Sequence, residues 1–211
     1  MLGIKLDQAG KRYQYEWIFK SLSLDFEPNN RIAVTGSNGS GKSTLLKCVA
    51  GLIPFTEGKV SYHLGQTAIS EADIFSYLAI SAPYMELPEE FTLIELLHFH
   101  FKFKNKISNV SIQEMMDIMY LNESKDKQVQ FFSSGMKQRL KLGLCFFSDV
   151  PLLLLDEPTS NLDQKGVDWY LEMLALYGSS KSILICSNDT REYANCHKII
   201  EMENFKIKRR D

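Results

Sequence analysis

GSNGSGKST, residues Gly36 to Thr44, sits between a short β-branched run, Arg31-Ile32-Ala33-Val34-Thr35, and a helix-spaced segment from Lys42 to about Ala50. The nine residues Gly36, Ser37, Asn38, Gly39, Ser40, Gly41, Lys42, Ser43 and Thr44 satisfy G-x-x-x-x-G-K-[ST] in a strand–loop–helix setting. Glycines let the backbone N–H groups curl inward around phosphate oxygens, and the helix start adds partial positive charge. Lys42 is expected to reach the β and γ phosphates, with the Ser43 hydroxyl on Mg²⁺. Gly51 then suits a left-handed helix cap.

A second stretch fits beside the first. Leu152 to Leu155 is a continuous apolar strand, the pattern of a sheet covered on both faces, and it ends in Asp156-Glu157. Such a strand delivers two carboxylates at the C-terminal edge of an α/β sheet, where ligands bind. Asp156 is expected to hold Mg²⁺ and Glu157 to polarise the water attacking a γ-phosphate. Alone, the two acids would read as caps for the turn at Pro158.

Around these the chain alternates between element types. Ile4-Lys5-Leu6 and Leu22 to Phe26 read as strands. In the middle, Thr92-Leu93-Ile94-Glu95 and Ser111-Ile112-Gln113-Glu114 have the S/T-x-x-E form that opens helices. Ile112, Met115, Met116 and Met119 share one helical face and read as core. A helix from about Lys165 to Tyr177 stops at Gly178, a strand follows at Ile183 to Cys186, and a hairpin is expected around Glu203-Asn204.

Composition bounds the rest. The 211 residues are 45% hydrophobic with a formal net charge of −2. That gives no field favouring nucleic acid or anionic lipid, so nucleic acid is not an expected partner. Lys206-Ile207-Lys208-Arg209-Arg210 reads as a solvated basic tail. Four dispersed cysteines without a C-x-x-C pair read as buried free thiols in a reducing cytosol. The longest apolar stretch, Leu142 to Leu155, is broken by Asp149 and Pro151 and is too short to span a bilayer.

Phe132-Ser133-Ser134-Gly135-Met136-Lys137-Gln138-Arg139 precedes the acidic strand, and Ser160-Asn161-Leu162-Asp163 follows it. With the phosphate loop, this order resembles the ATP-binding cassette (ABC) ATPases over essentially the whole chain. The resemblance implies a P-loop NTPase with a RecA-like core, an antiparallel β subdomain and an inserted helical subdomain. Residues 1–82 and 141–211 would form the ATP-binding core and residues 83–140 the helical subdomain. It also implies ATP and Mg²⁺ as cofactors. Two cassettes would pair head to tail, as a homodimer or with another ABC subunit, each placing Ser133 and Gly135 against the other's ATP. Asp163 matches the acidic residue that crosses between the two sites, although Ser134 stands where a glycine is usual. Tyr13 lies where similar proteins stack an aromatic on adenine, with Tyr15 and Trp17 as rivals.

Two positions depart from the resemblance. A histidine expected after the strand at 183–186 is replaced by Asn188, and none of His63, His98, His100 or His197 is placed to substitute. A glutamine expected before the helical region is replaced by Ala82, with Gln66 too early, which leaves Ser81 or a backbone carbonyl as the stand-in. Asn188 keeps an N–H₂ donor but loses a group that titrates near neutrality. The implied function is the ATPase subunit of a transporter, working on the cytoplasmic face of the membrane with a separate permease. A permease helix would meet Pro83, Tyr84, Met85, Leu87 and Phe91. The alternatives are an ATP-binding switch with little hydrolysis and a soluble non-transport ABC ATPase.

Overall fold

A computed structural model describes residues 2–207. The expected tail residues Lys208, Arg209 and Arg210 lie outside them. Two sheets organise the chain. The antiparallel one takes β1 (Leu2–Tyr13), β2 (Glu16–Phe26), β4 (Glu57–Leu64) and β5 (Thr67–Ile69), in the order β2-β1-β4-β5. The other contains β3 (Arg31–Thr35), β6 (Leu78–Ser81), β7 (Leu152–Asp156), β8 (Ser182–Cys186) and β9 (Lys198–Glu201). Its order is β6-β7-β8-β3-β9, and every pairing is parallel.

The four leucines of β7 show why a continuous apolar run was needed. All are 0% exposed, and successive side chains leave opposite faces of the strand. Leu152 and Leu154 join a core with β1, β2 and the helix α1 (Lys42–Val49). Leu153 and Leu155 join a second core under the helices. Full burial of each leucine is worth about 1.5–3 kcal/mol.

The second core is built by α2 (Leu93–Phe103), α3 (Ile112–Ile118), α4 (Ser134–Phe146) and α5 (Gln164–Tyr177). Both expected capping boxes form: Thr92 with Glu95, and Ser111 with Glu114, each side chain bonded reciprocally to the other's backbone. Such a cap contributes about 0.5–2 kcal/mol. Met115, Met116 and Met119 are at most 1% exposed and belong to the core, as their spacing indicated. Helix α4 runs unbroken through position 140 into the apolar centre. Gly51 adopts φ +72°, the left-handed cap expected after α1.

The C-terminal end differs from expectation. Among the described residues no hairpin forms around Glu203-Asn204: β9 pairs there only with β3, in parallel, and Met202–Phe205 is a 3₁₀ turn. Met202 drops into the first core at 0% exposure, which pulls the chain across the start of the phosphate loop instead of back along β9. All four cysteines are free, and Cys196 is the one not fully buried.

Candidate functional site

The phosphate loop leaves β3 and turns through three glycines with positive φ before α1 begins at Lys42. Gly36, at φ +142°, admits no side chain, because a Cβ there would lie 2.7 Å from both Ser40 Oγ and Glu203 Oε2. Residues 38–44 line an open recess together with Ile18 and Glu157. Lys42 is 5% exposed, and its ammonium donates to the carbonyls of Gly36 (2.5 Å) and Ser37 (3.3 Å), folded along the loop.

Two side chains hold the outside of the loop. The Gly36 N–H donates to Asn188 Oδ1 at 3.1 Å, and the Ser37 N–H donates to Glu203 Oε1 at 2.7 Å. The backbone and side chain of Ser37 keep the Glu203 carboxyl below its ordinary pKa. Asn188 lies next to the loop with its carbonyl engaged and its N–H₂ left for another acceptor.

Strand β7 brings Asp156 to 2% exposure close to Ser43 at the start of α1. Burial raises the Asp156 pKa, Ser43 opposes the rise, Glu157 adds to it, and Lys42 and Lys47 pull it down. Asp156 Oδ2 is buried with no hydrogen-bond partner. A buried, unpartnered carboxylate oxygen next to a hydroxyl is a hard-oxygen donor pair that fits Mg²⁺. Among the described residues no group of three or more His, Cys, Asp or Glu could hold a metal ion, so remaining ligands would have to come from nucleotide and water. Glu157 takes φ +45°, fixed by its N–H donating to Cys186 O at 2.8 Å, and it faces the recess.

Tyr13 does not line the cavity beside the loop; Tyr15, Trp17 and Ile18 do, with Gly39. The two-residue period of β1 carries Tyr13 to the side of Lys11, whose Nζ lies 5.1 Å from the ring centroid. Ala82 is 0% exposed at the end of β6 and offers the site only backbone. Tyr84 comes close instead: Lys47 Nζ lies 3.8 Å from its ring centroid, and burial, then Asp156 and Cys186, push its pKa up. His100 Nε2 lies 3.1 Å from Ser148 Oγ, and burial lowers its pKa to about 4.

Ser133, Gly135 and Asp163 are gathered elsewhere. Ser133 caps α4 by accepting from the Met136 N–H at 3.3 Å. A Cβ on Gly135 would lie 3.2 Å from Asn161 O, so the segment leading to Asp163 packs against the start of α4. Asp163 caps α5 through the Gly166 N–H at 2.8 Å, with Arg139 Nη2 at 3.7 Å. None of the three lines the phosphate-loop recess.

Sequence reasoning missed three neighbours of the site: Tyr84, Glu192 and Glu203. Asp189 caps α6 (Thr190–Tyr193), while Glu192 turns inward to 3% exposure.

The comparisons agree with this architecture. The sequence profile of the family described as "ABC transporter" matches residues 19–160. The lipoprotein-releasing system ATP-binding protein LolD of Blochmanniella floridana is 30% identical over 214 residues, covering 94% of this chain and 90% of LolD. The mouse phospholipid-transporting ATPase ABCA3 is 26% identical over 193 residues, but the match takes in only 11% of that protein. The dimeric structure of MJ0796, a bacterial ABC transporter cassette, superposes with a TM-score of 0.78 at 20% identity, covering 94% of both chains. With the phosphate loop, the acidic strand and well over half of its residues inside one profile, the chain belongs to the ABC transporter family.

Proposed function

We propose that this chain is the ATP-binding and ATP-hydrolysing subunit that powers a separately encoded membrane permease. One observation carries the reading: residues 38–44, with Lys42, and Glu157 meet in one open recess, while Ser133 and Gly135 lie outside it. A second copy, or another ABC subunit, would bring its own Ser133 cap and helix start to the exposed side of the bound triphosphate. Residues 1–82 and 141–211 would serve as the ATP-binding core and residues 83–140 as the helical subdomain. Loop N–H groups and Lys42 would hold the phosphates, Glu157 would take the proton of the attacking water, and the Asn188 amide would donate to a terminal phosphate oxygen. Mg²⁺, held by Ser43 and Asp156, would supply charge neutralisation at the phosphates. The test is direct: purified protein should release phosphate from ATP and pair when ATP is added. Protein that neither binds nor hydrolyses ATP would overturn it.

The engaged Asn188 carbonyl favours a slow version of this activity. Loss of one preorganised transition-state donor typically costs about 10²–10³ in rate, and only the N–H₂ half of the amide remains to make up for the absent imidazole.

Adenine would lie against Tyr15, which is 96% exposed beside Gly39. Stacking of a base on an aromatic ring is worth about 1–3 kcal/mol. Tyr15→Ala is therefore expected to weaken ATP binding about 5- to 150-fold in a calorimetric titration. Tyr13→Ala should stay within about twofold, since its ring belongs to the Lys11 side of β1.

Among the described residues no helix is long and apolar enough to cross a membrane. On this reading the permease is another chain, met at the cytoplasmic face. A groove of about 400 Å³ lined by Leu52, Phe75, Leu87, Leu96, Phe99 and Phe103 suits an amphipathic helix. Phe75 and Phe103 are 63% and 75% exposed, an apolar surface with a use only when covered. Phe103→Glu is expected to abolish co-purification with the permease while leaving ATP turnover of the isolated subunit within about twofold.

A further inference from the structure

Glu192 is a buried carboxylate that the proposed chemistry does not use. Its Oε1 accepts from the Thr159 N–H at 2.7 Å and from the Thr159 hydroxyl. Its Oε2 is buried without a hydrogen-bond partner. Glu192 itself belongs to the segment that carries Asn188: its N–H donates to Asp189 O at 3.0 Å, and the Asp189 N–H donates to Ser187 Oγ at 2.8 Å. Tyr170 donates to the Glu192 carbonyl at 3.3 Å, which fixes α6 against α5. One carboxylate thus joins two segments far apart in sequence.

Each segment leads to the site. Ser187 donates its N–H to Val34 O at 3.1 Å, and its neighbour Asn188 accepts from Gly36 at the loop. Thr159 starts the turn in which Ser160 N–H donates to Glu157 O at 3.0 Å and Leu162 N–H to Thr159 O at 3.0 Å. That turn sets Glu157 on one side and carries Asn161 against Gly135, and then Asp163, on the other. Without Glu192, the Thr159 N–H would lose its acceptor in a buried place.

We propose that Glu192 is a positioning residue that locks the Asn188 strand end to the Thr159–Asp163 segment, so that the phosphate loop and the cross-site segment are held in register. The role rests on the ATP hydrolysis proposed above. A residue that only fills space would affect stability. A residue that sets Glu157 and Asn188 changes the chemical step and leaves substrate binding in place.

The test has an arm that does not need turnover. Hydrogen exchange on nucleotide-free Glu192→Ala protein should rise at least about fivefold in the peptides containing Gly36–Ser37 and Thr159, relative to the original chain. In phosphate-release assays the same variant should lose about tenfold or more in kcat, with KM for ATP within about twofold. Glu192→Gln keeps the Oε1 acceptor and should restore kcat to within about threefold of the original. Thr159→Val, which removes only the hydroxyl donor, covers the case in which Glu192→Ala fails to fold; its kcat should fall about threefold or more at unchanged KM. Unchanged exchange at Gly36–Ser37 in folded Glu192→Ala, or in Thr159→Val should it replace that variant, overturns the proposal. So does a loss shared equally between KM and stability. If the original chain itself does not turn over ATP, the hydrolytic reading fails and the exchange arm alone decides the positioning role.

Discussion

Glu157→Gln protein is expected to bind ATP normally, lose phosphate release by about 10²–10⁴, and accumulate as a pair of cassettes. The magnitude is that of a positioned general base removed from the transition state. The residue is set for this role by local geometry: its φ of +45° and the Cys186 hydrogen bond turn the side chain into the recess. Glutamine keeps the shape and can still orient a water, but it cannot accept the proton. Hydrolysis is the step that would reopen a closed pair, so blocking it should trap the closed form. Single-turnover phosphate release and small-angle scattering with saturating ATP measure the two halves. A variant that turns over at the original rate, or remains a single subunit with ATP, contradicts the assignment.

Lys42→Ala has the other large effect, on binding. Its ammonium now rests on two loop carbonyls, at 2.5 and 3.3 Å. Those contacts hold the loop in shape and keep the charge within reach of phosphate. Hydrogen bonds to charged groups are worth about 1.5–3 kcal/mol each. Losing one or two at the phosphates raises the ATP dissociation constant by about 10- to 10⁴-fold. Calorimetric titration is the measurement, and an affinity within threefold of the original would rule the role out. Pairing on ATP should disappear with it.

How much of this was legible beforehand depended on whether the signal was local. The phosphate loop, the leucine strand, both capping boxes and the methionine face all follow from spacing within a few residues, and the structure has each of them. Which of Tyr13 and Tyr15 borders Gly39 is not a matter of spacing, because the β1–β2 turn at Gln14, with φ +51°, sets the direction of each ring. Ala82 was placed by its distance along the chain from Lys42, a count that cannot show that Tyr84, two residues on, sets its ring against Lys47 of α1. At Glu203-Asn204 the described residues take a 3₁₀ turn that buries Met202, a tertiary preference that the expected hairpin did not include. Glu192 was invisible for a related reason. Its partner Thr159 lies 33 residues away, so no short window contains the pair.

Strand β7 is a party wall. Truncating Leu152 or Leu154 opens a void toward the nucleotide side, and truncating Leu153 or Leu155 opens one toward the helices, at about 2–5 kcal/mol in either case. Neighbouring lesions one residue apart would therefore weaken different rooms of the same house, and the molecule's two halves share a failure point in four consecutive leucines.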